Sequence, residues 1–180
     1  MPSCASARPG ACPCCGAAAQ PIGGSLTLVG HGVVERQVLG PGGPGEAPEQ
    51  MVVQLRRYRC RACRGVVVVG PRGLVRRRWY GAGAMAQAVA LYARGATSAE
   101  VRARTSPSRV VGVSATERWV TLTRWLEAAR ARGLFGVAGI GELSRRRVAE
   151  HVTLALAARA GHHLGGELVA SAFAGALIAA

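Results

Sequence analysis

The chain has 180 residues, enough for one domain or two small ones, and carries a formal net charge of +14. No stretch reaches the roughly 18 apolar residues of a membrane span, and the N-terminus, MPSCASARPGACPCC, lacks the apolar region of a signal peptide. A membrane protein and a secreted disulfide scaffold are therefore set aside, and a cytoplasmic chain with reduced thiols is expected.

All 23 basic residues are Arg and all nine acids are Glu. GC-rich codon usage accounts for Arg over Lys, but not for the net charge. The charge is also unevenly placed: residues 50–99 hold ten Arg and no acid. Such a block favours a polyanionic partner. Aromatic residues make up only 4% of the chain, so any core is small and a metal staple would help hold it.

Residues 1–11 are small and polar with Pro and Gly, and disorder is expected there. Cys12-Pro-Cys-Cys15-Gly16 has the spacing of a metal knuckle, and Gly16 supplies the turn after it. Cys14, between the two, is a competing ligand; Cys4 is isolated and reads as an unligated thiol. Ile22 to Leu39 has strand character, bent where Gly30 and Gly32 flank His31, which reads as a polar strand residue rather than a ligand. Gly40 to Gln50 is so rich in Gly and Pro that a flexible hairpin tip is expected.

Met51 to Arg59 alternates as the return strand. Val53, Leu55 and Arg57 fall on one side; Val52, Gln54, Arg56 and Tyr58 fall on the other. Cys60-Arg-Ala-Cys63 is the second knuckle, Arg64-Gly65 turns the chain, and Val66 to Val69 is a short strand that Pro71-Arg72-Gly73 breaks. Two C-x-x-C pairs framing a hairpin in a reduced chain point to one structural zinc ion on Cys12, Cys15, Cys60 and Cys63. Four thiolates close the coordination sphere, so such a site leaves no position for substrate. The long spacer is tolerable because loop-closure entropy grows slowly with length.

Arg76, Arg77 and Arg78 form a basic connector, and Tyr80 to Gly83 reads as a joint. From Ala84 the pattern turns helical, with Met85, Ala88 or Val89, and Tyr92 at helical spacing and Gly95 as a stop. Thr97 to Glu100 is a capping box, opening a short helix to about Arg104. Ser114 to Glu117 is another, opening a longer helix to about Arg132 with Ala115, Trp119, Leu122, Leu126 and Ala129 on one face. Short helix, joint and further helix follow helix-turn-helix logic, in which the second helix enters the major groove. Two registers are open. One starts the recognition helix at Pro107 and exposes Ser108 and Arg109. The other starts it at Ser114 and exposes Thr116, Arg118, Thr121 and Arg124. The spacing from Arg104 to Ser114 exceeds a three- to four-residue turn, which favours the first, or an inserted loop.

Glu142 to Ala160 reads as a helix with Arg145, Arg146 and Arg147 on its first turns, unfavourable for its dipole without a nearby anion. His162 and His163 read as exposed loop residues. Glu167 to Ala180 is an Ala-rich helix to be buried on the previous one or by self-association, as in a homodimer.

The segments CPCCG, LVGHG, LRRYRCRACRGVVVV, PRGLVRRR and RWVTLTRW together resemble short proteins of GC-rich bacteria with a zinc-ribbon domain of unassigned function. These are similar in turn to the N-terminal zinc-ribbon and helix-turn-helix part of insertion-sequence transposases. The resemblance covers roughly residues 10–130. It implies the four Cys as ligands, the Arg-rich stretch as DNA-facing, and binding to element-end DNA. Transposase catalysis of the usual type uses two metal ions held by Asp and Glu carboxylates. This chain has no Asp, so no catalytic domain and no enzyme activity are expected.

The expected fold class is α+β: a small antiparallel zinc ribbon followed by an all-α, helix-turn-helix-like bundle with Ala-rich C-terminal helices. The boundaries are 1–11 disordered, 12–73 ribbon, 74–132 basic connector and helix-turn-helix-like helices, and 133–180 C-terminal helices. The candidate nucleic-acid contacts are Arg56, Arg57, Arg59, Arg61, Arg64, Arg72, Arg76, Arg77, Arg78, Arg109, Arg118 and Arg124. DNA stands ahead of RNA as the partner, and the alternative is a ribbon adaptor that binds a protein or RNA.

Overall fold

The computed structural model describes residues 5–113, 118–137, 140–161 and 167–179. Among these residues the fold is mixed α and β: a three-stranded antiparallel sheet and five α-helices. The strands are β1 (Leu28–Gly40), β2 (Glu49–Cys60) and β3 (Val66–Val69), ordered β1-β2-β3. The helices are α1 (Ala82–Ala93), α2 (Ser98–Ala103), α3 (Val120–Arg132), α4 (Arg145–Arg159) and α5 (Leu168–Ala179). The chain divides into two compact units. A ribbon unit takes Met1–Gln37 with Val52–Pro71, and a helical unit takes Val38–Met51 with Arg72–Ala180.

In the ribbon unit β2 and β3 pair antiparallel, with Tyr58 opposite Val67, Arg56 opposite Val69, Arg57 opposite Val68 and Arg59 opposite Val66. Directly opposed residues share a face and successive residues alternate faces. One face therefore buries Tyr58, which packs with Leu28, Ala19, Cys12 and Cys60, and Val67 and Val69 close over it. The other face carries Arg57, Arg59, Val66 and Val68. So small a core, without a Trp or Phe, supplies little burial energy. Residues 5–11, expected to be disordered, instead form a turn (Arg8 N–H to Ala5 O, 3.2 Å). The Ala19 N–H also reaches back to Gly10 O at 2.9 Å.

In the helical unit α1 is buried over nine successive residues, Ala82 to Ala90, and packs against α3, α4 and α5. A helix apolar all round belongs in the middle of a bundle. Small residues let the helices close up. A Cβ on Gly83 would lie 2.4 Å from the Phe173 ring, and one on Gly175 only 1.8 Å from the Leu156 carbonyl oxygen. α5 buries Val169, Ala172, Phe173 and Ala176, while Leu168, Leu177 and Ile178 are at least partly exposed. Tyr80, Trp119 and Trp125 meet edge to face with centroids 5.0–5.8 Å apart, and the Tyr80 hydroxyl donates to Ser106 Oγ at 2.9 Å.

Several sequence expectations need correction. The Gly-rich hairpin between β1 and β2 falls within the helical unit, where buried Gln87 on α1 accepts the Gly45 N–H at 3.1 Å and donates to Arg104 O. A ribbon boundary at 12–73 therefore overlooks Val38–Met51. Tyr80 to Gly83 is no loose joint, because Leu39 pairs with Tyr80 and Leu74 with Gly81, and α1 already begins at Ala82. No helix starts at Pro107, since residues 107–111 are irregular and Gly112 has φ +72°, so the first helix-turn-helix register is overturned. Sixteen residues separate α2 from α3, against the three to four of a helix-turn-helix joint. The second capping box, Ser114 to Glu117, lies outside the described residues, as do Cys4, His162 and His163. α3 itself starts at Val120 and buries Leu122, Trp125, Leu126 and Ala129, with Arg124 exposed.

The expected conflict at the start of α4 is resolved by packing. Arg146 lies over the Tyr92 ring at 4.5 Å and donates to Tyr92 O at 2.7 Å, at the carbonyl end of α1, where a cation is favoured. Arg147 pairs with Glu150 at 2.8 Å and Arg145 with Glu127 at 3.5 Å. Ser144 caps the helix by accepting the Arg147 N–H.

Candidate metal centre and basic surface

Cys12, Cys15, Cys60 and Cys63 come together, with all four Sγ atoms within 4.8 Å of one another. Cys12 and Cys63 sulfurs are 3.8 Å apart, as are those of Cys15 and Cys60. Disulfide sulfurs lie about 2.05 Å apart, so these are separate thiols. The two knuckles arrive from distant parts of the chain and repeat one local geometry. In the first, the Cys12 N–H bonds to Ala17 O; in the second, the Cys60 N–H bonds to Gly65 O, five residues on in both cases. The residue after the second Cys is left-handed in each: Gly16 at φ +74° and Arg64 at φ +61°. Stitches between segments fix the pair. Thr27 N–H bonds to Ala19 O at 2.8 Å, and Arg61 N–H to Thr27 O at 2.9 Å.

Backbone N–H groups aim at the sulfurs. Those of Cys15 and Cys14 lower the Cys12 thiol to about 7. The Gly65 N–H acts the same way on Cys63, but desolvation and the three neighbouring thiols outweigh it and push Cys63 up to about 12. Cys15 is also raised, against its Ala17 N–H. Four crowded sulfurs resist full ionisation together, and a cation between them removes that resistance. The cluster can hold a metal ion. Cys12 and Cys60 are buried, and Cys15 and Cys63 form the exposed rim. Cys14 is exposed and outside the four-sulfur cluster, as is His31.

The candidate arginines fall into distinct places. Arg59, Arg61 and Arg64 are exposed in the ribbon unit, with Arg56 and Arg57 half-buried on opposite faces of β2. In the helical unit Arg72, Arg76 and Arg77 are exposed. Arg78 and Arg124 share a groove of about 380 Å³, walled also by Thr123, Glu127, Ala128, Ala131 and Arg132. Arg109 lines a separate groove with Arg102, Ser106 and Ser108, and Arg118 is exposed beside Trp119. The ion pairs of Arg94, Arg130, Arg145 and Arg147 take up acids of the helical unit; of these four, Arg94 alone belongs to residues 50–99, which hold no acid.

Sequence reading overlooked Arg132 and Trp79. The i, i+8 spacing of Arg124 and Arg132 was available as a signal, two turns apart on one helix face. For Trp79 there was none, because an aromatic beside three arginines reads equally well as core. Among the described residues no helix is long and apolar enough to cross a membrane. The chain matches no protein-family model, no curated protein and no solved structure.

Proposed function

We propose that this chain is a DNA-binding protein without catalytic activity, built around one structural zinc ion and related to the DNA-binding part of insertion-sequence transposases. For zinc, a tetrahedron with Zn–S bonds of about 2.3 Å has edges of about 3.8 Å, which is the separation of the Cys12–Cys63 and Cys15–Cys60 sulfurs. Zinc would neutralise the thiolates and hold the two knuckles together; with four protein ligands it supplies structure, not a reaction.

The observation that carries the DNA reading is the acid-free arginine block of residues 50–99, whose first five arginines lie on β2 and the turn that follows it. Arg59, Arg61 and Arg64 are exposed around the second knuckle, and Arg57 and Arg59 share the outer strand face with Val68 and Val66. Arg binds phosphate in a planar fork, and such contacts position a protein on the duplex without reading sequence. A second reading, a ribbon adaptor for a protein partner, draws on exposed Val52, Val66 and Val68.

Titration of the zinc-loaded protein with labelled random-sequence duplexes at several salt concentrations separates the two. Phosphate contacts give a slope near −0.9 per contact, so five or more contacts give a slope of about −4 or steeper. A flat salt dependence, or no binding, would move the adaptor reading to first place.

A further inference from the structure

The connector arginines sit on a stitched loop. At its base the Ala82 N–H bonds to Gly73 O at 2.7 Å, and Leu74 pairs with Gly81. Leu39 clamps its far limb, donating its N–H to Trp79 O at 2.8 Å and accepting that of Gly81 at 3.2 Å. Near the tip the Arg78 N–H closes a turn on Val75 O at 3.2 Å, with Arg77 left-handed at φ +58°. A non-Gly residue in that region is strained, and strain retained at a loop tip points to a task for the tip.

Beside the tip, the far limb presents an aromatic ring. Trp79 is 64% exposed, whereas Trp119 and Trp125, at 5% and 2%, are core residues. Arg76 and Arg77 beside it are exposed, and Arg78 forms one wall of the groove along α3. Ala128 and Ala131 help to form that groove, so little side chain obstructs a polymer backbone there. Arg124 and Arg132 lie about 12 Å apart along the helix, roughly the span of two phosphodiester steps. Glu127, the acid in the groove, is already neutralised by Arg130 and Arg145.

We propose that this loop and groove form a binding site for single-stranded nucleic acid, in which Trp79 stacks on an unpaired base while Arg78, Arg124 and Arg132 hold the phosphates on either side. Duplex bases are already stacked on one another and offer an exposed ring no open face, whereas every unpaired base does. A basic surface with one Trp could also meet an anionic membrane, but interfacial anchoring needs a broad apolar face. Within the loop, Trp79 is the one large hydrophobic residue that stands exposed. The inference rests on the nucleic-acid reading and adds to its duplex contacts a separate site for an unpaired strand.

The test uses the whole zinc-loaded chain and a thymidine oligonucleotide of about 12 nucleotides, within the range of single-strand site sizes. Stacking should quench the emission of Trp79, and the quenching should vanish in Trp79→Leu while emission from Trp119 and Trp125 persists. Affinity for the oligonucleotide should fall about tenfold in Trp79→Leu and largely return in Trp79→Phe, which keeps a stacking ring. Arg124→Gln and Arg132→Gln should each reduce the salt slope by about 0.7.

The same thymidine strand annealed to its complement should leave Trp79 emission unchanged, as should vesicles of anionic lipid. Duplex binding without any single-strand quenching would overturn this inference and leave the DNA reading intact. Failure of both strand forms to bind would overturn both, and a Trp79 response to the vesicles alone would replace the strand by a membrane surface. Trp79→Phe, which keeps the stacking ring but loses the quenched emission, assigns the signal to Trp79 even if Trp79→Leu disturbs folding.

Discussion

Replacing Arg64 by Gly separates what the second knuckle needs for folding from what it needs for binding. Arg64 holds φ +61° at the position where the first knuckle has Gly16 at φ +74°. A left-handed non-Gly residue costs roughly 1–2 kcal/mol. Glycine removes that strain but adds about 0.5–1 kcal/mol of unfolded-chain entropy. The net expectation for Arg64→Gly is a ribbon more stable by about 0.5–1 kcal/mol, a Tm rise of about 1–4 °C in a chain of this size. Binding should move the other way. One exposed guanidinium is lost, so the duplex salt slope should shrink by about 0.9. Gly16→Ala gives the mirror result, a destabilised ribbon with unchanged slope. Scanning calorimetry of the zinc-loaded proteins and anisotropy titrations across salt read the two effects independently. A lower Tm for Arg64→Gly would refute the equivalence of the knuckles, and an unchanged slope would remove Arg64 from the DNA-facing set.

Replacing Arg76, Arg77 and Arg78 together by Gln should weaken binding about equally on all duplexes and reduce the slope by about two to three units, measured by the same titrations. Cys60→Ser should unfold the ribbon unit, because structural zinc contributes about 10–16 kcal/mol of binding energy to folding. Near-ultraviolet signals from the helical unit's tryptophans should survive it. Gly175→Ala should destabilise the helical unit by about 1–3 kcal/mol in thermal unfolding followed by tryptophan fluorescence, because its methyl group would strike the Leu156 carbonyl. Glu100, held below its ordinary value by the Thr97 backbone and side chain, contributes stability that is present above pH 4.5 and lost as pH falls through its folded value. Glu100→Gln should keep the cap but flatten that acid-side loss in pH-dependent unfolding.

The parts of this fold legible in the sequence are those set by short-range chemistry. C-x-x-C spacing located the four sulfurs, alternation located β2, and Thr97 with Glu100 marked the start of α2, where both capping bonds are present. What long-range packing decides was not legible. Nothing in the run of Gly and Pro from Gly40 indicates that Gln87 will hold it, and nothing near Arg145 and Arg146 indicates that Glu127 and the end of α1 will receive them, whereas the Arg147–Glu150 pair is a local i, i+3 contact. A helix start at Pro107 was favoured by the spacing from Arg104 to Ser114, which a three- to four-residue turn does not span. That spacing fits an irregular linker as well, and local propensity does not distinguish the two. At the candidate site, spacing identified the four cysteines that cluster, while the left-handed Arg64 and the exposed Trp79 depend on backbone geometry that composition does not reveal.

The central claim is that one zinc ion on four named sulfurs builds the surface that meets nucleic acid. The most direct test combines metal analysis of the purified chain with timed thiol titration. The sequence has six cysteines, so the account predicts one zinc per chain and rapid reaction of Cys4 and Cys14 alone. Cys12, Cys15, Cys60 and Cys63 should react only after a chelator removes the metal, with loss of duplex binding in step. A chain that carries no metal, with all its thiols reacting at once and duplex binding undiminished, would contradict it.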